Sequence, residues 1–500
     1  MSLPLSEADS SAVRFVLDGE VVSVSGLPAT TTVLEYLRNH AGRTGTKEGC
    51  AEGDCGACSV VVGELSPDAS AIRYRAVNSC IRFLPTLDGK ELATVESLRA
   101  PNGALHPVQQ AMVDNHASQC GFCTPGFVMS LFALYLNQAD AKRDDVVVAL
   151  AGNLCRCTGY RPIIDAGLKM FEYAAPTRWN REEAQSQERL TRLQSIQRPG
   201  AADQSLQFPT FHAPRTVDEL TAALETAPHS LILAGGTDVG LWVTKHLREL
   251  PPIVYIGEIA ELKQIRQSES EIWIGSGVAL TDAWPVLVEA FPELAEQAVR
   301  FASPPIRNSA TLCGNIANGS PIGDSLPALI ALGAAVDLRK GAKSRRVPLE
   351  KFFLGYQKKD LAPGEFVVGV QVPARKAGSW IASYKVSKRI EQDIAAVCAT
   401  ISVTVEAGIV SDARLGFGGM AAIPARAPNA EAMLMGKAWS QESVDAAIGA
   451  LSLDFQPLTD MRASSAYRLR AAGNLLQRFY LEHASEPRAV RLEDALEGMK

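Results

Sequence analysis

The feature that most constrains this chain is the stretch KEGCAEGDCGACSV, residues 47–60, which places three cysteines and three glycines where no regular element has room to form. Of ten cysteines, eight fall between Cys50 and Cys157, and only Cys313 and Cys398 lie beyond. Thiols this clustered suggest metal ligation in a reducing compartment rather than a disulfide framework. The opening residues, MSLPLSEADS, show neither a basic n-region nor an apolar h-region, and FVMSLFALYL (127–136) is far short of the roughly 20 residues that cross a bilayer. A cytoplasmic protein without a membrane partner is expected. A net charge of -6 gives no electrostatic footprint for nucleic acid. At 500 residues the chain has length for about three domains of roughly 150 residues each.

Cys50, Cys55 and Cys58 have the C-x4-C-x2-C spacing of plant-type 2Fe-2S centres, and Cys80 supplies a fourth thiol further along. Gly49, Gly53 and Gly56 let the backbone take positive φ and bring N-H groups close to sulfur. The alternative is a structural zinc on four thiolates, whose usual signature is paired C-x2-C knuckles, and only Cys55 and Cys58 fit it. A second constellation answers a C-x2-C, Cys120 and Cys123, with a C-x-C, Cys155 and Cys157. Thr124-Pro125 and the Thr158 to Pro162 segment predict helix starts beside each pair, aiming two positive helix ends at one anionic core. Taken alone this quartet also suits zinc.

Along the chain, residues 12–25 alternate about an Asp18-Gly19 turn and predict a hairpin, TTTVLEYLRNHAG predicts a helix ended by Gly42, and short strands follow. A small β-rich domain thus covers 1–93, and helical periodicity over 94–175 predicts four helices. The polar stretch 176–205 reads as a linker with room for a short helix, and 206–500 as α+β in two lobes, 206–380 and 381–500. SLILAGGTDVG is a strand entering a glycine turn whose N-H groups can cradle a pyrophosphate. IWIGSGVAL only mimics a dinucleotide fingerprint, because Leu280 stands where its third glycine belongs. The turns and apolar helix of 301–334 read as an anchored ligand loop, and Cys313 and Cys398 as small buried hydrophobes.

EGCAEGDCGACSV, QCGFCTPGFVMS and AGNLCRCTGYRPI closely resemble the two iron-sulfur domains of the xanthine dehydrogenase and aldehyde oxidase family of molybdenum hydroxylases. FASPPIRNSATLCGNIANGSPIGD resembles its FAD segment, and GFGGMAAIPARA its C-terminal flavoprotein lobe. The resemblance implies a multidomain α+β fold: a β-grasp 2Fe-2S ferredoxin domain, a four-helix 2Fe-2S domain and a two-lobed FAD-binding domain. It places one cluster on Cys50, Cys55, Cys58 and Cys80, and the other on Cys120, Cys123, Cys155 and Cys157. It puts the FAD pyrophosphate on Leu233, Ala234, Gly235, Gly236, Thr237, Asp238, Val239 and Gly240. Phe301, Thr311, Asn315 and Asp324 would line the nucleotide, Lys385 would stand near the isoalloxazine, and Val368 would form an apolar wall. Gln119, and Cys157 through its surroundings, would face a molybdopterin. Gln392 stands where vertebrate members carry an acid.

A flavin converts the single electrons of such clusters into the two-electron hydride that a nicotinamide accepts. The resemblance therefore implies an electron-transfer subunit with no catalytic acid-base residue of its own. It would pass electrons to NAD+ from a molybdopterin-containing large subunit that oxidises hypoxanthine and xanthine to urate, in a heterotetramer of two small and two large subunits. The nearer alternative is the same part of an aldehyde or other N-heterocycle hydroxylase, and the more distant one a zinc-stabilised scaffold.

Overall fold

The alternating run after Ala12 forms the expected hairpin, β1 (Val13–Leu17) against β2 (Glu20–Val24), in a computed structural model that describes residues 10–198 and 205–484. Asp18 and Gly19 take φ of 57° and 87°, the positive pair that lets a two-residue turn follow the strand twist. With β3 (Ser59–Leu65), β4 (Ile72–Asn78) and β5 (Glu91–Ala93) the sheet order is β2-β1-β5-β3-β4, β1 running parallel to β5. This is the β-grasp arrangement. The expected helix forms over its predicted length but changes type midway. Thr32 caps α1 (Val33–Glu35), which passes into a π turn over Tyr36–His40 closed by Ala41 N-H on Tyr36 C=O at 2.9 Å, and Gly42 at φ 67° follows.

The apolar strands are buried on both faces. Val13, Phe15, Leu17, Val60 and Val62 enter one core with Phe83, Leu233 and Tyr255, while Val16, Val61, Ile72 and Tyr74 enter another with Phe127, Phe132 and Trp179. Period-two alternation is thus present but masked, because both sets are apolar. The second core belongs to α2 (Pro107–Asp114), α3 (Thr124–Asn137), α4 (Arg143–Leu150) and α5 (Arg161–Lys169). Every residue of α3 from Gly126 to Tyr135 is buried, which accounts for its continuous apolar run. Among the described residues no helix is long and apolar enough to cross a membrane.

The stretch expected as a linker is folded up to Arg198, and residues 199–204 lie outside the described residues. It carries α6 (Arg181–Ala184) and α7 (Gln187–Ser195), with Trp179 fully buried before them. Its arginines pair chiefly with the ferredoxin-like domain: Arg189 meets Glu91 at 2.5 Å, and Glu183 of the stretch itself at 2.7 Å, and Arg198 meets Asp88 at 2.5 Å. Beyond it, β6 (Leu206–Phe208), β7 (Phe211–Ala213), β8 (Leu231–Leu233) and β9 (Ile253–Tyr255) form a sheet ordered β6-β7-β9-β8. Helices α8 (Val217–Thr226) and α9 (Val239–Thr244) flank β8 in sequence. These elements, with 279–281 and 302–311, make one compact unit. Buried Lys90, 2.6 Å from Glu258 and 3.3 Å from Glu64, ties its first and last sheets.

Among the described residues, the other unit comprises 264–278, 282–301 and 312–484. Its five-stranded antiparallel sheet runs in the order Ile265–Gln267, Glu271–Gly275, Phe366–Pro373, Ala335–Lys340, Lys343–Pro348. A separate sheet orders Ser379–Val386, Val397–Glu406, Ile409–Gly418 and Ala425–Arg426, and packs on helices Pro428–Leu434, Gln441–Asp454 and Ser465–Glu482.

Candidate functional site

Cys50 and Cys55 lie on the glycine loop, Cys58 directly precedes β3, and Cys80 follows β4 by two residues. The four thiols stand as two pairs. Cys50 and Cys55 exchange N-H to sulfur hydrogen bonds at 3.3 Å each, and the Cys58 and Cys80 sulfurs are 3.2 Å apart. A hydrogen bond with the Cys55 thiol, resisted by burial and reinforced by the N-H groups of Cys55, Glu52 and Asp54, pulls the Cys50 thiol down to about 4. Asn78 Nδ2 adds a donor 3.8 Å from Cys58. A methyl on Gly49 would sit 2.7 Å from Cys55 sulfur, so the loop closes on its own ligands only with glycine there. Among the described residues no three His, Cys, Asp or Glu side chains form a group that could hold a metal ion. Two pairs are instead the arrangement that two irons, each taking two thiolates, would use.

The second quartet repeats the pairing. Cys120 stands close enough to Cys157, and Cys123 to Cys155, for each pair to perturb the other's titration. The expected helix start shifts by one residue, since Cys123 occupies the N-cap of α3 while Thr124 enters the helix and its hydroxyl meets Ser118 at 2.8 Å. The thiol itself therefore stands at the positive end. Around Cys155, the Thr158 hydroxyl lies 3.2 Å and the Thr158 N-H 3.5 Å from sulfur. Tyr160, at φ 69°, caps α5 and accepts the Cys155 N-H on its phenol oxygen at 2.9 Å. Cys120, Cys157 and Gln119 are exposed, with Phe122 and Leu154 exposed on the same two loops.

Sequence reasoning missed what joins the quartets. Leu154 N-H donates to Cys55 C=O at 2.9 Å, so one hydrogen bond separates a residue of the first quartet from the neighbour of Cys155. Buried Asn153 donates to Gly56 C=O at 3.1 Å and accepts from Ser130 at 2.7 Å. Gly56 has φ 69°, and a methyl on it would meet Gly152 C=O at 2.1 Å. An asparagine two residues before a cysteine gives no cue of its own, because its partner lies 97 residues away.

The predicted flavin residues divide between the two units. In the first, Leu233 ends β8, Ala234, Gly235, Gly236, Thr237 and Asp238 make the turn, and Val239 and Gly240 open α9. Gly236 takes φ 73°, and a methyl on Gly235 would stand 1.9 Å from Ser309 C=O, so the backbone approach requires glycine. Thr311 is buried and bridges Ala279. In the second unit Lys385 is buried, with Nζ 2.6 Å from Asp324 and 2.9 Å from Arg300 C=O. Burial pushes the Asp324 carboxyl up and Lys385 opposes the rise. Asp324 stands at a helix N-cap without a capping bond, and its buried Oδ1 has no partner. That orphaned acceptor fits a ligand hydroxyl such as those of a ribityl chain. Asn315 accepts from Ser325 at 2.6 Å, and Phe301 meets Trp284 edge-on with centroids 6.2 Å apart. Val368 is the extra residue of a β-bulge, since Val367 and Gly369 pair with consecutive Leu338 and Asp337. Gln297, also unforeseen, donates to Asp324 C=O and accepts from Ser383 at 2.5 Å. Cys313 and Cys398 are buried, as expected. A cavity of about 420 Å3 lined by Phe208, His212, Glu219 and Pro252 contains none of the predicted residues.

Comparison with known proteins divides the chain in the same order. Residues 15–84 match the 2Fe-2S iron-sulfur cluster binding domain and 94–168 the [2Fe-2S] binding domain. Residues 204–375 match the FAD binding domain in molybdopterin dehydrogenase, and 382–483 the CO dehydrogenase flavoprotein C-terminal domain. Xanthine dehydrogenase of Emericella nidulans is 32% identical over 97% of this chain and 39% of its own length. Xanthine dehydrogenase/oxidase of Gallus gallus is 31% identical over 89% of this chain and 38% of its own. The chain thus spans about two fifths of these relatives. A solved chain of carbon monoxide dehydrogenase from Hydrogenophaga pseudoflava is 33% identical, with TM-score 0.51, over 54% of this chain and 96% of that one. Reconstituted CO dehydrogenase from Oligotropha carboxidovorans is 26% identical, with TM-score 0.50, over 54% of this chain and 96% of that one.

Proposed function

The chain belongs to the molybdenum hydroxylase family, as the part that carries its two 2Fe-2S domains and its FAD-binding domain, and we propose that it serves a xanthine dehydrogenase. In this reading a molybdopterin-bearing partner subunit oxidises hypoxanthine and xanthine to urate, and this chain delivers the electrons to NAD+. The assembly is a cytoplasmic heterotetramer of two copies of each. The purine assignment draws on relatives named xanthine dehydrogenase that align with both the iron-sulfur and the flavin regions. NAD+ is the acceptor by likeness to dehydrogenases.

The observation that carries the reading is the paired thiols of the first quartet, joined to the second quartet's loop by one hydrogen bond, Leu154 N-H to Cys55 C=O. When bound, the clusters supply one-electron transfer and the flavin converts between one and two electrons. Cys50, Cys55, Cys58 and Cys80 would hold the first centre, and Cys120, Cys123, Cys155 and Cys157 the second. In the first unit the Gly235-Gly236 turn is suited to a pyrophosphate; in the second, Asp324 offers an acceptor for a hydroxyl, and Lys385 beside it is the lysine that the family resemblance assigns to the isoalloxazine. Gln119 and Cys157, both exposed, would face the partner's pterin.

Three measurements test the reading: iron and flavin content of the purified chain, the spectra of its reduced form, and xanthine-dependent NADH formation after co-purification with the molybdopterin subunit. Four irons and one flavin per chain with NADH formed from xanthine is the expected result. Zinc in either quartet would overturn the cofactor assignment, and activity with aldehydes alone the purine assignment.

A further inference from the structure

The loop that carries Cys50 is held by a residue from outside the β-grasp domain. Ala51 takes φ 56°, the left-handed region that a side chain with Cβ enters only when its surroundings hold it there. Its C=O accepts the Thr244 hydroxyl at 2.7 Å across a separation of 193 residues. Thr244 is the last residue of α9, the helix that Val239 opens after the glycine turn. Its single hydroxyl proton has a second acceptor, Gly240 C=O, at 3.1 Å, and the shorter contact is the one to Ala51. Lys245 and Glu52, 3.8 Å apart, flank the contact.

The Ala51 C=O and the Glu52 N-H are opposite ends of one planar peptide. Fixing the carbonyl toward Thr244 therefore fixes where the N-H points, and it lies 3.4 Å from Cys50 sulfur. Hydrogen bonds in such a chain polarise one another. Donors to a ligand sulfur stabilise the more electron-rich, reduced state of an iron-sulfur centre and raise its potential.

We propose that Thr244 is a positioning residue for the first iron-sulfur centre: its hydroxyl orients the Ala51-Glu52 peptide so that the N-H donates to Cys50 sulfur, which raises the reduction potential of that centre and leaves the second unchanged. The inference rests on the assignment of Cys50 to the first centre. A threonine at the end of a flavin-lobe helix thereby acts on a thiolate of the ferredoxin-like domain.

The test is a redox titration of the purified full chain followed by electron paramagnetic resonance, in which the signal absent from Cys157→Ala marks the second centre. Thr244→Val keeps the side-chain shape without the donor, and Thr244→Ser keeps the donor. The first-centre midpoint is expected to fall in Thr244→Val, by up to a tenfold change in its reduction equilibrium, about 59 mV for one electron. The second-centre midpoint stays in place, and Thr244→Ser titrates as the unmodified chain does. If Thr244→Val fails to assemble the first centre, Thr244→Ala, which only removes atoms, carries the same expectation. An unmoved first-centre midpoint, equal shifts of both centres, or a Thr244→Ser shift as large as that of Thr244→Val overturns the proposal. A first centre missing from the unmodified chain would instead overturn the ligand assignment beneath it.

Discussion

A methyl group on Gly126 would stand 2.1 Å from the carbonyl oxygen of Gly56. The first residue lies in the opening turn of α3 and the second between two ligands of the other quartet, so the helical and ferredoxin-like domains meet backbone to backbone. Gly126→Ala is expected to force them apart, at a cost of about 1–3 kcal/mol or more for overpacking a rigid contact. Thermal unfolding and iron content check this: a lower midpoint with fewer than four irons per chain is expected.

Arg189 and Glu91 are a buried pair whose side chains are 6% and 4% exposed, with Trp179 stacked 3.7 Å from the guanidinium. Removing Arg189 leaves the buried Glu91 carboxylate with only the Tyr74 hydroxyl at 2.8 Å and strips Glu183 of its cation. Arg189→Ala should therefore destabilise the first unit by about 3–5 kcal/mol, whereas replacing both partners with apolar residues of similar volume should cost far less. Urea denaturation of the two variants measures the difference.

His106 is fully buried, with Nδ1 accepting Val108 N-H at 3.3 Å, which leaves Nε2 to donate to Trp179 C=O at 3.2 Å. The ring is thus held neutral. Burial, partly offset by that carbonyl, lowers its pKa to about 4 from 6.5. The unfolded chain then binds more protons between those values, so stability is complete above pH 6.5 and is lost as pH falls toward 4. The loss at the acid end is roughly 3 kcal/mol. Denaturant midpoints measured from pH 7.5 to 4.5 should show this slope, and His106→Gln should flatten it.

Burial drives the Asp324 carboxyl toward the protonated form, and the Lys385 ammonium 2.6 Å away opposes this in part. Lys385→Met should therefore weaken flavin binding, by roughly ten- to a hundredfold if one charge-assisted contact is lost. Flavin fluorescence during titration into deflavinated protein reports it, and unchanged affinity would remove Asp324 and Lys385 from the flavin site.

The cysteine spacing made the thiol quartets legible, and period-two alternation gave the hairpin. The strap after residue 176 was not legible, because Arg189 and Arg198 look like solvated charge until Glu91 and Asp88, 98 and 110 residues away, are brought to them. The π turn after Glu35 and the bulge at Val368 leave no compositional trace, since each depends on where a neighbouring strand or loop already lies. Thr244 was equally silent: a hydroxyl at a helix end says nothing about a carbonyl 193 residues earlier.

Because Val60, Val61 and Val62 send alternate side chains into two different cores, strand β3 of the ferredoxin-like sheet is covered on both faces. Excised at residue 93, the sheet would present two greasy surfaces to water and aggregate instead of surviving as a portable module. Any graft of this centre onto another scaffold would have to bring along a covering layer for each side.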